Sequence, residues 1–422
     1  MHPIQVYEND NLVGTLSILD RESYSFAYDK LWLDSADSFA IDPLLPLDSQ
    51  THYNKQLWGA FSDISPDRWG RLIQSRHAEK MLTESEFMLG VSDYFRAGAL
   101  RLKVGDEFVA HSTNIPKLLH LSQLQDSTLK VEKDKYSQDD LKLLLDPSSS
   151  LGGARPKASV EDKGKLYIAK FGSKNDLHSV ILWESVMLEL AKRAKIRTAN
   201  FKIIKANQKP VLLVERFDRS GDMRIPFISA MTLLKVSEKK DAEYKSYADI
   251  AKELDLSNKA ELFRRMLFNA LFGNTDDHLR NHALLYDKAT KLWHLSPAYD
   301  LNPTPYPYEK QRHALNFVEC KNLPSVNLCR EIATEFSVSD KDFVAILRDC
   351  INAGRQWKNI ALNFGIKANE INLFRQNFEH KDIENAKEIL KECNNMLQKS
   401  TTIAHKPNPH KNRTNDNDGM GL

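Results

Sequence analysis

One segment in the second half of the chain carries the residue types that phosphoryl transfer from ATP requires. Residues 274–281 read Asn-Thr-Asp-Asp-His-Leu-Arg-Asn, and a further aspartate, Asp300, follows nineteen residues after this segment. In phosphoryl transfer an aspartate orients the substrate hydroxyl and can accept its proton, while an amide oxygen and another carboxylate hold magnesium on the phosphates. Asp276, Asn281 and Asp300 occur in that order, so the segment predicts a kinase.

A glycine-containing loop upstream can bind the phosphates of ATP. Residues 150–157 read Ser-Leu-Gly-Gly-Ala-Arg-Pro-Lys, and backbone N–H groups in such a loop can converge on phosphate oxygens. The predicted phosphate-binding residues are Ser150, Gly152, Gly153 and Lys157. Two glycines also make an ordinary turn, so the loop is a weak signal unless a strand with a lysine follows it.

Such a strand is predicted at residues 167–171, Tyr-Ile-Ala-Lys-Phe, and it contains Lys170. A lysine on a surface strand is the common alternative. A lysine that reaches phosphate needs a carboxylate to hold it. Glu184, early in the next predicted helix, is the expected partner, with Glu189 as the second choice. The strand and helix context favours the phosphate role for Lys170.

The hydrophobic pattern predicts the elements that position these residues. Apolar residues recur every four positions from Leu182 to Ala194 and predict a helix over 181–196. The other predicted elements near the site are a buried strand at 211–217, a helix at 259–272 that stops at Gly273-Asn274, and a hairpin of 284–286 with 292–295. Asp276 is therefore expected in a loop between a buried helix and a hairpin.

The first hundred residues have a strand-rich pattern. Residues 4–7 and 13–18 flank a polar connection suited to a hairpin. Residues 58–73 then change to a helical pattern, with Ser65 as the predicted N-cap and Pro66 at the first helical position.

The bulk composition is that of a globular protein with several domains. The chain has 422 residues, a hydrophobic share of 41% and a net charge of +2. That charge balance gives no electrostatic footprint for nucleic acid or for an anionic membrane. We see no secretory leader and no apolar stretch of the roughly 20 residues that span a bilayer, so a cytoplasmic protein without a membrane partner is expected. The four cysteines fit no zinc-site spacing.

The aspartate-rich segment has two other interpretations. Asp276, Asp277, His278 and His282 offer oxygen and nitrogen ligands, which would suit a metal-dependent hydrolase. The segment also fits a pseudokinase that binds ATP without transferring phosphate. Asp277 adds negative charge beside Asp276 and would raise the pKa of that carboxyl if unpaired, and Arg280 can compensate.

Taken together, the motifs resemble the HipA-like serine/threonine kinases, the toxins of bacterial type II toxin–antitoxin pairs. The similarity extends over most of the chain, through residues 59–68, 150–157, 167–170, 215–219, 274–281 and 299–300. Several motifs in this order are far more specific than any one of them.

The resemblance implies a role for each residue of the aspartate-rich segment and its lysine. Asp276 would be the catalytic aspartate, Asn281 and Asp300 would bind Mg²⁺, and Lys170 would contact the phosphates of ATP. The cofactors implied are therefore ATP and Mg²⁺.

Two further sites follow from the resemblance. Glu215 and Phe217, within residues 214–217, would line the adenine pocket. Ser150 would be autophosphorylated in the phosphate loop, although Ser148 and Ser149 are adjacent candidates. A phosphate there would occupy the place of the ATP phosphates and switch the enzyme off.

The implied fold is α+β, with a protein-kinase-like two-lobed core, a mostly helical C-lobe and a preceding strand-rich domain. The predicted domains are 1–110 (N-terminal domain), 111–217 (small lobe with its connecting segment and phosphate loop), 218–400 (helical large lobe) and 401–422 (disordered tail).

The resemblance also implies partners. The substrate would be an aminoacyl-tRNA synthetase, and the usual partner is a small HipB-like helix-turn-helix antitoxin that binds operator DNA. The alternative in this family context is a catalytically silent co-repressor that binds ATP and the antitoxin.

Overall fold

The described structure divides into an N-terminal sheet domain, a small lobe and a helical large lobe. The computed structural model describes residues 3–20, 23–110, 115–147, 153–237, 241–305 and 307–404. Residues 148–152, which include Ser150 and Gly152 of the predicted phosphate loop, lie outside the described residues, as do residues 405–422 of the predicted tail. The predicted α+β class with a two-lobed core is confirmed, while the exact limits of the domains stay predictions.

The N-terminal domain is built on a six-stranded antiparallel sheet in the order β4-β3-β2-β1-β5-β6. Its strands are β1 (Ile4–Glu8), β2 (Asn11–Ile18), β3 (Tyr24–Tyr28), β4 (Thr51–Asn54), β5 (Leu100–Val104) and β6 (Glu107–Phe108). Its helices are α1 (Lys30–Leu33), α2 (Gly59–Asp63), α3 (Arg68–Ala78) and α4 (Glu84–Leu89).

The predicted N-terminal hairpin is confirmed. Strands β1 and β2 pair antiparallel with Ile4 opposite Leu16. Burial alternates along β1, as expected for a sheet with one face on the core. On β2, a Cβ atom at Gly14 would lie 2.3 Å from the carbonyl oxygen of Ala27 on β3, so this close strand approach requires glycine.

The helical pattern predicted for residues 58–73 forms two helices, and the predicted N-cap is wrong. The Ser65 hydroxyl donates to the carbonyl of Phe61, 2.8 Å away, so it serves the end of α2. Asp67 caps α3 instead, since its side chain accepts the N–H of Gly70 at 2.7 Å. Pro66 therefore lies just before the N-cap rather than inside the helix.

The small lobe contains a four-stranded antiparallel sheet in the order β7-β8-β10-β9. Its elements are α5 (Leu121–Glu132), α6 (Gln138–Leu145), β7 (Lys157–Asp162), β8 (Lys165–Lys170), α7 (Val180–Arg193), β9 (Phe201–Ala206) and β10 (Lys209–Glu215). The predicted lysine-bearing strand, the helix after it and the strand near 211–217 are confirmed. Trp69 and Ile73 of α3 lie in the same hydrophobic core as the inner face of this sheet, so α3 joins the two regions.

The large lobe is mostly helical. Its strands are β11 (Arg219–Ser220), β12 (Met223–Arg224), β13 (Phe227–Ser229), β14 (Ala283–Asp287) and β15 (Leu292–Leu295). Its helices are α8 (Ala230–Leu233), α9 (Tyr247–Lys252), α10 (Leu256–Phe272), α11 (Val326–Glu331), α12 (Asp340–Gly354), α13 (Trp357–Asn363), α14 (Ala368–Phe374) and α15 (Lys381–Ala404). Together with α7, these helices enclose the largest hydrophobic core of the described structure.

Two predictions about the large lobe are confirmed by local geometry. Helix α10 stops at Gly273, whose φ of +71° is the left-handed conformation that favours glycine at a helix C-terminus. Strands β14 and β15 form the predicted hairpin, with Leu284 opposite Leu295. Asp276 therefore lies in the connection between α10 and this hairpin.

The C-terminal end differs in part from the prediction. Helix α15 continues to Ala404, so the first four residues of the predicted disordered tail are helical. Within the described ranges, none of the helices combines the length and apolar character needed to cross a membrane.

Candidate active site

The ammonium group of Lys170 bridges two carboxylates from different elements. Lys170 is the last residue of β8, and its Nζ lies 2.6 Å from Glu184 Oε1 and 2.8 Å from Asp300 Oδ1. Burial alone would lower the pKa of Lys170, but the charges of Asp300 and Glu184 hold that pKa above its ordinary value. Glu189, the second choice as a partner, bonds Arg193 of its own helix instead.

Asp300 follows β15 and takes a left-handed backbone conformation, with φ of +58°. Its side chain is 33% exposed, which distinguishes it from Glu184 at 3%. The amide nitrogen of Asn302 also donates to Asp300 Oδ1 at 3.2 Å. Burial would raise the pKa of Asp300, but the Lys170 ammonium outweighs that effect and lowers it to about 2. Asp300 is therefore a partly exposed, ionised carboxylate.

The loop that carries Asp276 is fixed by its neighbour, Asp277. Asp277 is buried, and its Oδ2 accepts hydrogen bonds from the Tyr247 hydroxyl, from Asn269 Nδ2 at 3.0 Å and from His282 Nε2 at 2.8 Å. Burial would raise the pKa of Asp277, but the interaction with His282 and the other bonds hold it below its ordinary value. Asp277, which has no role in the predicted kinase chemistry, is the structural anchor of the loop.

Asp276 itself is exposed. Its pKa is raised by partial desolvation, and the charges of Asp300 and Asp277 add to that rise while Arg68 opposes it. The contribution expected from Asp277 is therefore present even though Asp277 is paired. Arg280 was expected to offset the negative charge of Asp277, and its Nη1 lies 3.6 Å from Oδ1 of Asp63, in α2.

Asn281 and Asp300 provide oxygen atoms suited to a divalent cation. Asn281 ends a 3₁₀ turn, Leu279–Asn281, and its amide nitrogen donates to the carbonyl of Asp276 at 3.3 Å. This bond uses the nitrogen and leaves the amide oxygen as the donor atom for a metal. Magnesium prefers carboxylate and carbonyl oxygens, so these residues fit the ion.

Lys157 lies at the start of β7 and forms a second buried lysine–carboxylate pair. Its Nζ is 2.8 Å from Asp67 Oδ2, and the two side chains are 5% and 6% exposed. A Cβ atom at Gly153, where φ is +87°, would lie 2.9 Å from the same Nζ. Ser150 and Gly152, with Ser148 and Ser149, lie outside the described residues.

Asp67, the partner of Lys157, was not among the residues predicted for the site. The sequence signal that identifies it is a helix start, because an Asp after proline and before a helical pattern is a common N-cap. Its contact with Lys157 joins residues ninety positions apart, which no local pattern reveals.

Glu215 and Phe217 lie where the small lobe passes into the large lobe. Glu215, the last residue of β10, pairs with Lys165 at 2.8 Å. The ring of Phe217 lies 5.5 Å from that of Tyr299, centroid to centroid. Since Tyr299 precedes Asp300, Phe217 lies near the rest of the site.

The remaining residues of the 215–219 motif join the N-terminal domain to the kinase-like core. Arg216 Nη2 lies 2.6 Å from Asp218 Oδ2, and Arg219 Nη1 lies 2.8 Å from the same oxygen. Arg216 also donates to the backbone carbonyls of Phe95 and Arg96 at 2.6 and 3.1 Å. This part of the motif therefore has a structural role.

The ligand set proposed for a hydrolase does not assemble. Asp277 and His282 bond each other inside the protein, whereas Asp276 faces outward. Within the part of the chain that the structure describes, no group of three or more His, Cys, Asp or Glu side chains is arranged to hold a metal ion.

Sequence comparisons agree with this architecture. The chain matches a family model described as the HipA N-terminal domain over residues 4–89 and one described as the HipA-like C-terminal domain over 149–358. It is 24% identical over 322 residues to the serine/threonine-protein kinase toxin HipA of Shewanella oneidensis, across 66% of this chain and 70% of that protein. It is 30% identical over 152 residues to "Putative kinase Y4dM" of Sinorhizobium fredii, across 34% of this chain and 37% of that relative. The match thus spans little more than a third of Y4dM.

A solved structure shows the same fold. A chain of the Shewanella oneidensis MR-1 complex of HipA, HipB and operator DNA superposes with a TM-score of 0.67 at 17% identity. The superposition covers 94% of this chain and 97% of that one. Because the N-terminal and C-terminal HipA models both match, in order, the chain belongs to the HipA-like kinase family.

Proposed function

We propose that this protein is an ATP- and Mg²⁺-dependent serine/threonine protein kinase that acts as a growth-inhibiting toxin. The observation that carries the proposal is the ammonium of Lys170, held 2.6 Å from Glu184 and 2.8 Å from Asp300. Protein kinases require this combination of a strand lysine, a helix glutamate and a metal-binding aspartate before phosphate is transferred. Membership of the HipA-like family supports the same activity.

In this proposal Lys170 and Lys157 bind the phosphates of ATP. An ammonium group has three donors, so Lys170 can keep its two carboxylate partners, and Lys157 can keep Asp67, while each donates to a phosphate oxygen. Ser150, Gly152 and Gly153 complete the phosphate loop.

Asn281 and Asp300 would hold Mg²⁺ through the amide oxygen and the carboxylate. When bound, the ion neutralises charge on the phosphates. The exposure of Asp300, at 33% of its side chain, leaves this carboxylate accessible from the site.

Asp276 would orient the hydroxyl of the substrate serine or threonine and accept its proton. Its exposed position gives an incoming protein substrate access to the carboxylate. Its raised pKa makes it a better base than an ordinary aspartate. The buried bonds of Asp277 hold the loop in place, so catalysis rests mainly on positioning. The adenine of ATP would lie against Glu215 and Phe217.

The partners follow from the family. We propose that the protein binds a HipB-like helix-turn-helix antitoxin, and operator DNA through it, because the solved relative is a complex of HipA, HipB and operator DNA. The proposed substrate is an aminoacyl-tRNA synthetase in the cytoplasm. Autophosphorylation is proposed at Ser150, with Ser148 and Ser149 as alternatives.

The test is the intact mass of phosphatase-treated protein after incubation with ATP and Mg²⁺, with peptide mapping of residues 141–160. Wild-type protein should gain one phosphate in this segment. Asp276→Asn should transfer at least about 10²-fold more slowly, because it lacks the base. Asp222→Asn, a change at another exposed aspartate, is the matched control and should behave as wild type.

Equal phosphate gain by wild type and Asp276→Asn would contradict the role of Asp276. If the protein binds ATP but transfers phosphate neither to itself nor to any of a panel of purified synthetases, it would be a catalytically silent co-repressor instead.

A further inference from the structure

A carboxylate of the N-terminal domain reaches the phosphate end of the kinase-like site. Asp67 Oδ2 lies 2.8 Å from Lys157 Nζ, and both side chains are nearly inaccessible, at 6% and 5% exposed. Asp67 is the N-cap of α3, whereas Lys157 begins β7 in the small lobe. The pair therefore crosses from one region of the molecule into another.

Asp67 is held rigidly on its own side. Its Oδ1 accepts the N–H of Gly70 at 2.7 Å, so the two carboxylate oxygens have different partners. The helix behind it is fixed because Trp69 and Ile73 are buried in the core of the small lobe. Asp67 consequently gives Lys157 a fixed point of attachment rather than a mobile counter-ion.

The arrangement repeats the one at Lys170. Glu184 of α7 holds Lys170 of β8 by a buried ion pair, and Asp67 of α3 holds Lys157 of β7 in the same way. The two lysines project from the same face of the sheet, because Lys157 on β7 is paired directly opposite Lys170 on β8.

The same segment of the N-terminal domain contacts the catalytic loop. Asp63, at the end of α2, accepts hydrogen bonds from the N–H and hydroxyl of Ser229 at 2.7 and 2.8 Å. It also lies 3.6 Å from Arg280, the residue before Asn281. Residues 59–68 are thus placed against both the phosphate-binding side and the catalytic side of the site.

We infer that Asp67 is a positioning residue that holds the Lys157 ammonium for the phosphates of ATP, so that the N-terminal domain forms part of the kinase active site. The inference rests on the proposed function, since it requires Lys157 to bind ATP. Displacement of α3 from the small lobe would release Lys157 and weaken nucleotide binding.

The test is a double-mutant cycle on ATP affinity, measured by calorimetry with wild type, Asp67→Asn, Lys157→Met and the double variant. Asparagine is as good an N-cap as aspartate, so Asp67→Asn removes the charge and keeps the start of α3. It should weaken ATP binding about tenfold in the wild-type background and leave it unchanged when Lys157 is already methionine. Asp255→Asn, which changes the N-cap aspartate of α10, is the matched control and should keep wild-type affinity.

Three outcomes would overturn the inference. An equal loss of affinity in both backgrounds would mean that Asp67 acts only by supporting α3. Tighter ATP binding by Asp67→Asn would mean that Asp67 competes with phosphate. Wild-type protein that does not bind ATP would overturn the proposed function and the inference with it. If Asp67→Asn fails to fold, Asp67→Ser replaces it in the cycle, because serine also caps helices.

Discussion

Two regions of this molecule bury charged side chains, and they balance those charges differently. Between the N-terminal domain and the kinase-like core, the Asp218 carboxylate forms ion pairs with Arg216 and Arg219. It also accepts a hydrogen bond from the N–H of Gly98 at 2.7 Å. Burial would raise the pKa of Asp218, but the two guanidinium groups hold it well below its ordinary value. The remaining donors of Arg216 end on backbone carbonyls, so this network is closed on itself.

The candidate active site is rich in carboxylates and, unlike the network of Asp218, is open to solvent at Asp300 and Asp276. Lys170 and Lys157 face Glu184, Asp300 and Asp67, and the exposed Asp276 adds a further carboxylate. Asp300 is 33% exposed, whereas Asp218 is 7% exposed. Buried charge by itself therefore does not mark a functional site. Charge that is partly exposed and imbalanced is suited to receive a cation and a phosphate chain.

The largest expected effect comes from breaking the closed network. Asp218→Asn should lower the free energy of unfolding by about 3–5 kcal/mol, because Arg216 and Arg219 stay buried without their counter-charge. Urea unfolding of the variant and wild type measures this change. Asp139→Asn is the control: its side chain is 94% exposed and lies 3.9 Å from Lys142, so it should change stability by less than about 1 kcal/mol. If Asp218→Asn is as stable as wild type, the network of Asp218 does not depend on its balance of buried charges, and the two regions do not differ in that respect.

A change in the open cluster should act on catalysis. Lys170→Met is expected to lower kcat by about 10²–10³-fold, because it removes the positive charge that we propose lies at the ATP phosphates. Initial phosphorylation rates at saturating ATP measure this loss, and circular dichroism checks that the variant is folded. The matched control is Lys205→Met, at an exposed lysine of β9 in the same sheet. A variant with at least half of the wild-type kcat would remove Lys170 from the mechanism.

The smallest effect concerns a buried histidine beside the loop that carries Asp276, where the N–H of Ala314 donates to the carbonyl of Thr275. His313 is 2% exposed, and neither ring nitrogen has a hydrogen-bond partner among the described residues. Burial lowers its pKa from 6.5 to about 4. Between these values the unfolded chain binds more protons than the folded one, so stability falls as the pH drops from about 6.5 to about 4.

His313→Leu should remove this pH dependence. On going from pH 7 to pH 5, wild type should lose about 2 kcal/mol more unfolding free energy than the variant, given a tenfold change in equilibrium per 1.36 kcal/mol. Urea titrations at the two pH values give the comparison. Parallel losses in both proteins would mean that burial does not lower the pKa of His313 in the folded protein.

Local sequence patterns predicted much of the scaffold. The apolar period of α10 and the glycine after it placed Asp276 in a loop, and the following strands formed the expected hairpin. The pairing of Lys170 with Glu184 was also accessible, because a strand and the next helix are neighbours in sequence and in space. The division of residues 58–73 into two helices was missed, since Ser65 bonds backward to Phe61 rather than forward.

Local residue patterns predicted the order of the candidate groups and the elements that carry them. These depend on residue type and on periods of two to four residues, which any local stretch displays. Three features depend on contacts between distant segments and are visible only in the folded structure. Asp277 anchors the loop while Asp276 faces outward, and Asp67 holds Lys157. Arg216 and Asp218 join two regions about 120 residues apart. Burial and ion pairing between distant segments set these roles, and neither exists until the chain has folded.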